Sequence, residues 1–211
     1  SIKFDRNNLD SYMYPTAGTD CSVLGLLAYG KERFRPYDTT LQSNSTQTLS
    51  WLQLEGNIHT YLPISNKFVL GLRGKAVVSS KGLLSNYTST IAQAPAFTPT
   101  PHSQTIFNPA FRSTQYLAAG VIPIWKIMNN LQFRNEFYLF APFRQIYEGA
   151  NYEPYYGRAF SKYHFMGESS VVLNLSFASI ALYANYYDYP ARNWNFGINI
   201  GLLVFSPKFL E

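Results

Sequence analysis

Apolar and polar side chains alternate along this chain in stretches of about ten residues. Over residues 50–62 the even positions are mostly apolar and the odd positions mostly polar, and residues 193–205 repeat the pattern. Because successive side chains of a strand face opposite sides, each stretch predicts a strand with one apolar and one polar face. Soluble strands average about five or six residues, so strands of about ten residues favour a membrane-spanning β-barrel. The period alone does not say which face meets lipid.

The alternation and the breakers between its segments predict a chain built of strands. A short strand opens the chain near residues 1–6, and eight longer ones lie near 19–32, 48–63, 67–79, 114–126, 131–142, 161–174, 177–188 and 193–205. Tight turns at 65–66, 128–130 and 175–176 alternate with longer connections at 33–47, 80–113, 143–160 and 189–192, as is typical of an up-and-down barrel. We predict an all-β, antiparallel transmembrane β-barrel of eight full strands and a short leading strand, in one domain over residues 1–211.

The two faces of these strands predict two environments. Outer-membrane lipid is the expected partner of the large apolar side chains, namely Leu52, Leu54, Ile58, Phe68, Leu70, Leu72, Phe133, Phe137, Leu139, Trp194, Phe196, Ile198 and Ile200. Aromatic residues near strand ends are expected to mark the membrane interfaces, namely Trp51, Tyr61, Trp125, Tyr187 and Trp194. Charges of both signs share the opposite face, which favours internal ion pairs or a plug over a strongly selective pore. They are Arg73, Lys75, Arg134, Glu55, Glu136 and Glu168.

Composition agrees with this fold class. Charged residues make up 14% of the chain and aromatic residues 17%, whereas about a quarter of an average protein is charged. The mean hydropathy is -0.13. No apolar run reaches the roughly eighteen residues of a membrane helix, so a helical membrane protein is excluded.

Charge, cysteine content and motifs narrow the possible functions. The net charge is +5, but Lys and Arg are scattered, so nucleic acid is not an expected partner. The single cysteine, Cys21, forms no internal disulfide, and no cysteine cluster offers a metal site. We predict no cofactor. The run Gly167-Glu168-Ser169-Ser170-Val171 lacks the second glycine of a nucleophile elbow, so we predict no catalytic residue in this segment.

Residues 2–19 carry a further pattern. Asp5 ends the first predicted strand, Asp10 follows, and a Tyr-Pro-Thr-x-Gly run containing Pro15 and Gly18 leads into the next strand. Aspartates can bind turn amides, while proline and glycine set rigid turns. This turn signature resembles that of the bacterial surface-antigen superfamily of outer-membrane barrels, which includes the BamA assembly factor and two-partner secretion transporters.

The resemblance implies a place within a larger barrel. In that superfamily the turn lies about halfway along a barrel of sixteen strands, so this chain resembles the C-terminal half of such a protein. Residues 80–113 then correspond to a loop that enters the lumen. The superfamily's Val-Arg-Gly-Phe/Tyr motif in that loop is replaced here by Phe111-Arg112-Ser113-Thr114. The resemblance implies that Arg112 pairs with the lumen-facing Glu136; the alternative is a solvated Arg112 at the base of the loop.

The end of the chain resembles the C-terminal signal that the barrel assembly machinery reads by edge pairing. Its residues here are Asn195, Gly197, Ile200 and Leu202. Residues 133–142 and 193–201 look closest to the barrels of patatin-like phospholipases from Bacteroidetes-type bacteria. The resemblance implies a location in the outer membrane of a Gram-negative bacterium and a role in anchoring or exporting a passenger such as a lipase.

Other functions and closures stay open. A stand-alone barrel enzyme acting on lipid would use His164, Glu168 and Ser170, which share one face of a predicted strand. A soluble β-domain would instead bind carbohydrate or protein through a Tyr-rich surface. A barrel could close with eight strands, by pairing as a homodimer, or as part of sixteen strands. The closing Leu210-Glu211 is either native or a cloning remnant.

Overall fold

The computed structural model describes residues 1–36, 44–188 and 193–202. The strands of its main sheet are β1 (Ile2–Asn7), β2 (Gly18–Phe34), β3 (Ser45–Pro63), β4 (Phe68–Ser79), β5 (Tyr116–Lys126), β6 (Leu131–Pro142), β9 (His164–Asn174), β10 (Ala178–Tyr187) and β11 (Trp194–Leu202). They follow one another through the sheet in this order, and every neighbouring pair is antiparallel. A separate hairpin is formed by β7 (Arg144–Glu148) and β8 (Pro154–Ala159). The predicted all-β antiparallel meander is confirmed.

The predicted strands of the main sheet agree with the observed ones to within a few residues at each described end. The prediction missed the β7–β8 hairpin, because its short strands lie in a Tyr-rich stretch without clear alternation. Residues 37–43 and 189–192, the predicted strand end at 203–205, and Leu210-Glu211 lie outside the described residues.

The edges of the sheet are β1 and β11. Within the described residues no strand pairing joins them. Closure into a barrel therefore stays a prediction.

The sheet is nevertheless strongly curled. On a flat sheet β2 and β11 would lie about 34 Å apart, at seven strand spacings. Tyr14, four residues before β2, has its hydroxyl 3.0 Å from Asn199 Nδ2 on β11. Four residues span at most about 14 Å, and a tyrosine side chain is too short to bridge the rest of the distance between β2 and β11. The sheet must therefore curve toward the face that Tyr14 contacts, which we call the concave face; the other is the convex face.

A hydrophobic core covers part of the concave face. It joins Phe97 and Phe111, from the connection between β4 and β5, to side chains of the sheet. The sheet residues are Tyr61, Val69, Val77, Tyr116, Ala118, Ile122, Ile124, Tyr138, Phe140, Met166 and Tyr187. On the convex face, large apolar side chains are exposed.

Residues 80–113, which make up most of the connection between β4 and β5, pack against the concave face; we call them the inserted segment. It contains α1 (Tyr87–Gln93), α2 (Pro101–Thr105) and a 3-10 turn at Pro109–Phe111. Asn86 caps α1, and Thr100 and Ser103 form a capping box at α2, which accounts for where these helices begin. Among the described residues, no helix is long and apolar enough to cross a membrane.

Candidate functional site

Arg134, on β6, is the centre of a buried polar cluster on the concave face. Its side chain is 2% exposed. Nη2 donates to the Tyr61 hydroxyl on β3 at 3.1 Å, and Nη1 donates to the Pro15 carbonyl oxygen, between β1 and β2, at 2.9 Å. The rings of Tyr14 and Tyr61 each lie 5.6 Å from the guanidinium carbon. One side chain therefore ties together three separate parts of the chain.

Glu136 supplies the negative charge of the cluster. Arg134 Nε lies 3.3 Å from Glu136 Oε1, and the Tyr138 hydroxyl donates to Oε2. The three residues occupy alternate positions of β6, so they share its concave face. Buried charges persist in proteins when they are paired and hydrogen-bonded. Both carboxylate oxygens of Glu136 are engaged, so this group holds structure rather than offering a reactive acid or base.

Beside this group, a row of polar side chains crosses three strands. Glu136 on β6, Glu168 on β9 and Asn185 on β10 are direct cross-strand partners, and all three are buried. Within the described residues, Glu168 Oε2, both amide atoms of Asn185 and the Ser170 hydroxyl have no hydrogen-bond partner. Buried polar atoms are normally hydrogen-bonded. Glu136, Glu168 and Asn185 therefore form a polar row beside the Arg134 cluster.

The residues of the rival enzyme hypothesis do not form a catalytic constellation. His164 Nδ1 lies 3.3 Å from Asp188 Oδ2. Its Nε2 and the Ser170 hydroxyl have no hydrogen-bond partner in the described part of the chain, whereas an activated nucleophile needs its base within hydrogen-bond reach. The described residues also contain no group of three or more His, Cys, Asp or Glu that could hold a metal ion.

The predicted pair between Arg112 and Glu136 is wrong. Arg112 Nη1 donates to the carbonyl oxygens of Ala92 and Ala94, at 3.1 and 3.2 Å, and its guanidinium lies over the Phe107 ring. Arg112 thus closes the inserted segment on itself at the end of α1. Glu136 is engaged instead by Arg134, two positions away on the same face of β6. A neighbour on the same strand reaches the carboxylate at a lower cost in chain entropy than a loop residue does.

Other side chains hold the inserted segment against the sheet. Arg73 Nη1, on β4, donates to the Pro99 carbonyl oxygen at 2.6 Å, and the Tyr116 hydroxyl, on β5, donates to the Ala96 carbonyl oxygen at 3.0 Å. His102 of α2 lies against the rings of Tyr183 and Tyr187 on β10. The residues that fix the segment are therefore spread over β4, β5 and β10 rather than concentrated at Arg112.

The contact between His102 and Tyr187 gives a first prediction. His102 Nδ1 lies 2.8 Å from the Tyr187 hydroxyl, and burial lowers the pKa of His102, which favours the neutral imidazole. Tyr187→Phe removes this hydrogen bond and is expected to cost about 0.5–1.5 kcal/mol, seen as faster hydrogen exchange over residues 102–105. Tyr183→Phe keeps a ring against His102 and serves as the control. Equal exchange in both variants would contradict the assignment.

Of the two aspartates expected to bind turn amides, Asp10 does so. The Asp10 carboxylate accepts hydrogen bonds from Thr16 N, at 2.8 Å, and from the Thr16 hydroxyl, at 2.7 Å, as a turn-binding aspartate should. Pro15 lies in the same turn and offers its carbonyl to Arg134. Asp5 is a correction, because it lies within β1 and pairs with Lys3 at 3.1 Å. Two asparagines bind further turn amides: Asn7 Oδ1 accepts from Leu9 N, and Asn8 Oδ1 accepts from Thr19 N.

Gly18 gives a second prediction, because the turn demands glycine there. Its φ is +96°, and a Cβ would lie 2.3 Å from the Asn8 carbonyl oxygen. A non-glycine residue in such a conformation costs on the order of 1–3 kcal/mol, so Gly18→Ala is expected to lower the free energy of unfolding by at least that amount in a urea titration. Gly30→Ala is the control, since a Cβ there meets nothing within 4 Å. Equal losses in the two variants would contradict this account.

The predicted C-terminal signal lies on β11, an edge strand. Asn195 and Gly197 occupy concave positions, and Ile200 and Leu202 occupy convex positions and are exposed. A Cβ at Gly197 would lie 2.4 Å from the Tyr183 hydroxyl oxygen, so packing against β10 accounts for this glycine. Whether β11 is read by an assembly machinery stays a prediction.

Three of the predicted interface aromatics point to the wrong side. Trp51 and Tyr61 share the concave face of β3 with Glu55, and Tyr187 shares the concave face of β10 with Asn185. Tyr61 and Tyr187 are buried in the core. Trp125 and Trp194 do lie exposed on the convex face. Nearness to a strand end does not fix the face on which an aromatic side chain lies, because successive residues of a strand face opposite sides.

Comparisons with known proteins identify no relative of this chain. No protein-family model, no curated protein and no solved structure is found to match the chain. The similarity to the surface-antigen superfamily therefore stays a prediction from the residues, and the function must be argued from the geometry of the sheet and its buried cluster.

Proposed function

We propose that this chain is part of the wall of an outer-membrane β-barrel that anchors an exported passenger domain, in the manner of the surface-antigen superfamily. The observation that carries the proposal is the inverted polarity of the sheet. Large apolar side chains are exposed on the convex face, while Arg134, Glu136 and Glu168 are buried on the concave face. Apolar surface in water costs roughly 25 cal/mol per Å². Lipid against the convex face would remove that cost.

The exposed apolar surface extends across the sheet rather than forming one patch. Val121 on β5 is 45% exposed, Leu182 on β10 is 55% exposed and Trp194 on β11 is 60% exposed. The predicted lipid-facing residues that are exposed are Leu52, Leu54, Ile58, Leu72, Phe137, Leu139, Trp194, Phe196, Ile198 and Ile200. Phe68, Leu70 and Phe133 are half-buried on the same face. Contiguous apolar surface of this extent marks an interaction surface, and a bilayer is the partner that fits a whole sheet face.

Polar side chains on the convex face are also consistent with a lipid environment. Asn135 on β6 and Ser169 on β9 are cross-strand partners there, and the Ser169 hydroxyl donates to Asn135 Oδ1 at 2.6 Å. A polar group without a partner is costly in hydrocarbon. The hydrogen bond between the two side chains reduces that cost in lipid. In water the same groups could hydrogen-bond to solvent and would gain little from each other.

The free edges support a larger barrel over closure of this chain alone. Both faces of β1 are exposed, as shown by Phe4 on the convex side and Lys3 on the concave side. An open strand edge is not tolerated in lipid, so in a bilayer β1 and β11 would pair with further strands, supplied by the remainder of a longer protein or by a second copy of this chain. The passenger would be a patatin-like lipase, an assignment that rests on the resemblance of residues 133–142 and 193–201.

Single-tryptophan variants test which face meets lipid. Trp125 and Trp194 lie on the convex face and Trp51 on the concave face, so each can be kept while the other two are changed to Phe. After refolding into vesicles that contain brominated lipid, we expect strong quenching of Trp125 and Trp194 and little quenching of Trp51. Folding only in micelles or vesicles, with heat-modifiable migration on a gel, would agree. A monomeric chain that folds cooperatively in plain buffer would overturn the proposal.

A further inference from the structure

A polar pocket lies on the concave side, between β2, β3, the end of β4 and the inserted segment. Its volume is about 310 Å³, within the range of small-molecule sites. The residues that carry its chemistry are Trp51, Gln53, Glu55, Lys75, Lys81 and Gln93. None of them belongs to the Arg134 cluster.

The Lys81 side chain places a positively charged ammonium group at a fixed position in this pocket. Its ammonium lies 4.6 Å from the centre of the Trp51 ring, and it donates to Gln93 Oε1 at 2.6 Å. Burial lowers the pKa of Lys81, and Glu32 opposes this effect. Glu32 itself accepts hydrogen bonds from Ser85 and Gln47. An ammonium has three donors, so Lys81 can still bind an anionic group.

The other polar residues of the pocket supply both donors and acceptors. Lys75 Nζ lies 2.8 Å from Glu55 Oε1, so these two charges neutralise each other and Lys81 gives the pocket its charge preference. Gln53 and Gln93 also line this space, and a glutamine side chain carries both donors and an acceptor. Trp51 adds an apolar ring surface. Hydroxyl groups need both donors and acceptors, and the C–H faces of a sugar ring pack against aromatic rings.

We propose that this pocket binds an acidic sugar, with its carboxylate or phosphate on Lys81 and its hydroxyls on Gln53, Glu55 and Gln93. The same chemistry is offered by a free sugar acid or sugar phosphate and by the head group of a glycolipid. The inference rests on the pocket alone and holds whether or not the convex face meets lipid.

Calorimetric titration of the folded chain tests the proposal, with glucuronate, glucose 6-phosphate, glucose and inorganic phosphate as probes. We expect glucuronate or glucose 6-phosphate to bind with a millimolar dissociation constant and glucose to bind at least tenfold more weakly. Lys81→Met should weaken binding of the acidic sugar at least tenfold, and Lys81→Arg should largely restore it. Lys67→Met, in the turn after β3, is the control for loss of one positive charge. Circular dichroism checks that each variant is folded.

Three results would overturn the proposal. Unchanged affinity in Lys81→Met, or no binding of either acidic sugar, would reject the site. Inorganic phosphate binding as tightly as glucose 6-phosphate would reject the sugar and leave a simple anion site. Vesicles with and without lipid A then separate the sources: Lys81-dependent binding to lipid A vesicles alone supports a glycolipid head group, and binding of the free probes alone supports a soluble sugar.

Discussion

Replacing Arg134 with methionine is expected to lower the free energy of unfolding by about 3–5 kcal/mol, because it leaves the buried Glu136 carboxylate without its cation. The substitution also removes the donors to the Tyr61 hydroxyl and the Pro15 carbonyl oxygen. Urea titration in the medium in which the wild-type chain folds measures the loss. The effect is large because a single guanidinium serves three segments.

A double variant separates the charge from the packing. Arg134→Met combined with Glu136→Gln removes both charges and keeps an acceptor for the Tyr138 hydroxyl, so much of the loss should be recovered. Arg158→Met, on the exposed hairpin strand β8, should change stability by less than about 0.5 kcal/mol. A loss below about 1 kcal/mol in Arg134→Met would show that the cluster does not hold the concave face together.

Placing an arginine at Val121 is expected to cost about 2–4 kcal/mol in a bilayer, since a charge near the membrane midplane of a barrel carries that penalty. Val121 lies in the middle of β5, on the convex face, and is 45% exposed. The inserted fraction in vesicles and the free energy of unfolding there measure the effect. In a soluble protein the same substitution at an exposed position would be nearly neutral.

Ser22→Arg is the matched control on the other face. Ser22 is a half-buried concave residue of β2, with Asp5 and Asn57 as its cross-strand partners. An arginine there meets polar neighbours rather than lipid, so insertion should be close to that of the wild-type chain. If Val121→Arg inserts as well as Ser22→Arg, the convex face does not lie in lipid.

The strands of the main sheet could be predicted because each is defined by the alternation within its own residues. A period of two over ten or more residues defines a strand, and tight turns such as residues 65–66 fix antiparallel neighbours. The same period separated the convex from the concave residues. The β7–β8 hairpin was missed because neither of its strands is long enough to show alternation. The short helices of the inserted segment depend on caps at Asn86 and Thr100, and a period of two carries no signal for such helices.

The partners within the site could not be predicted, because they depend on how far the sheet curls. The alternation places Arg134 and Glu136 on one face, which is correct. The family resemblance implied an ion pair between Glu136 and Arg112, which the structure does not form. The position of two opposite charges at i and i+2 of one strand was a usable signal for the observed pair. No local pattern marks Tyr61 or the Pro15 carbonyl as further partners of Arg134. These contacts exist only because residues far apart in the chain meet on the concave face.

The hydrogen bond from Arg134 to the Pro15 carbonyl oxygen joins residues that are 119 positions apart. Closing so long a loop costs entropy before the contact stabilises anything. We therefore expect this contact to form late, after the hairpins between neighbouring strands. Interactions made after the rate-limiting step leave the folding rate nearly unchanged and slow unfolding. The guanidinium would thus set how long the protein stays folded, not how quickly it folds.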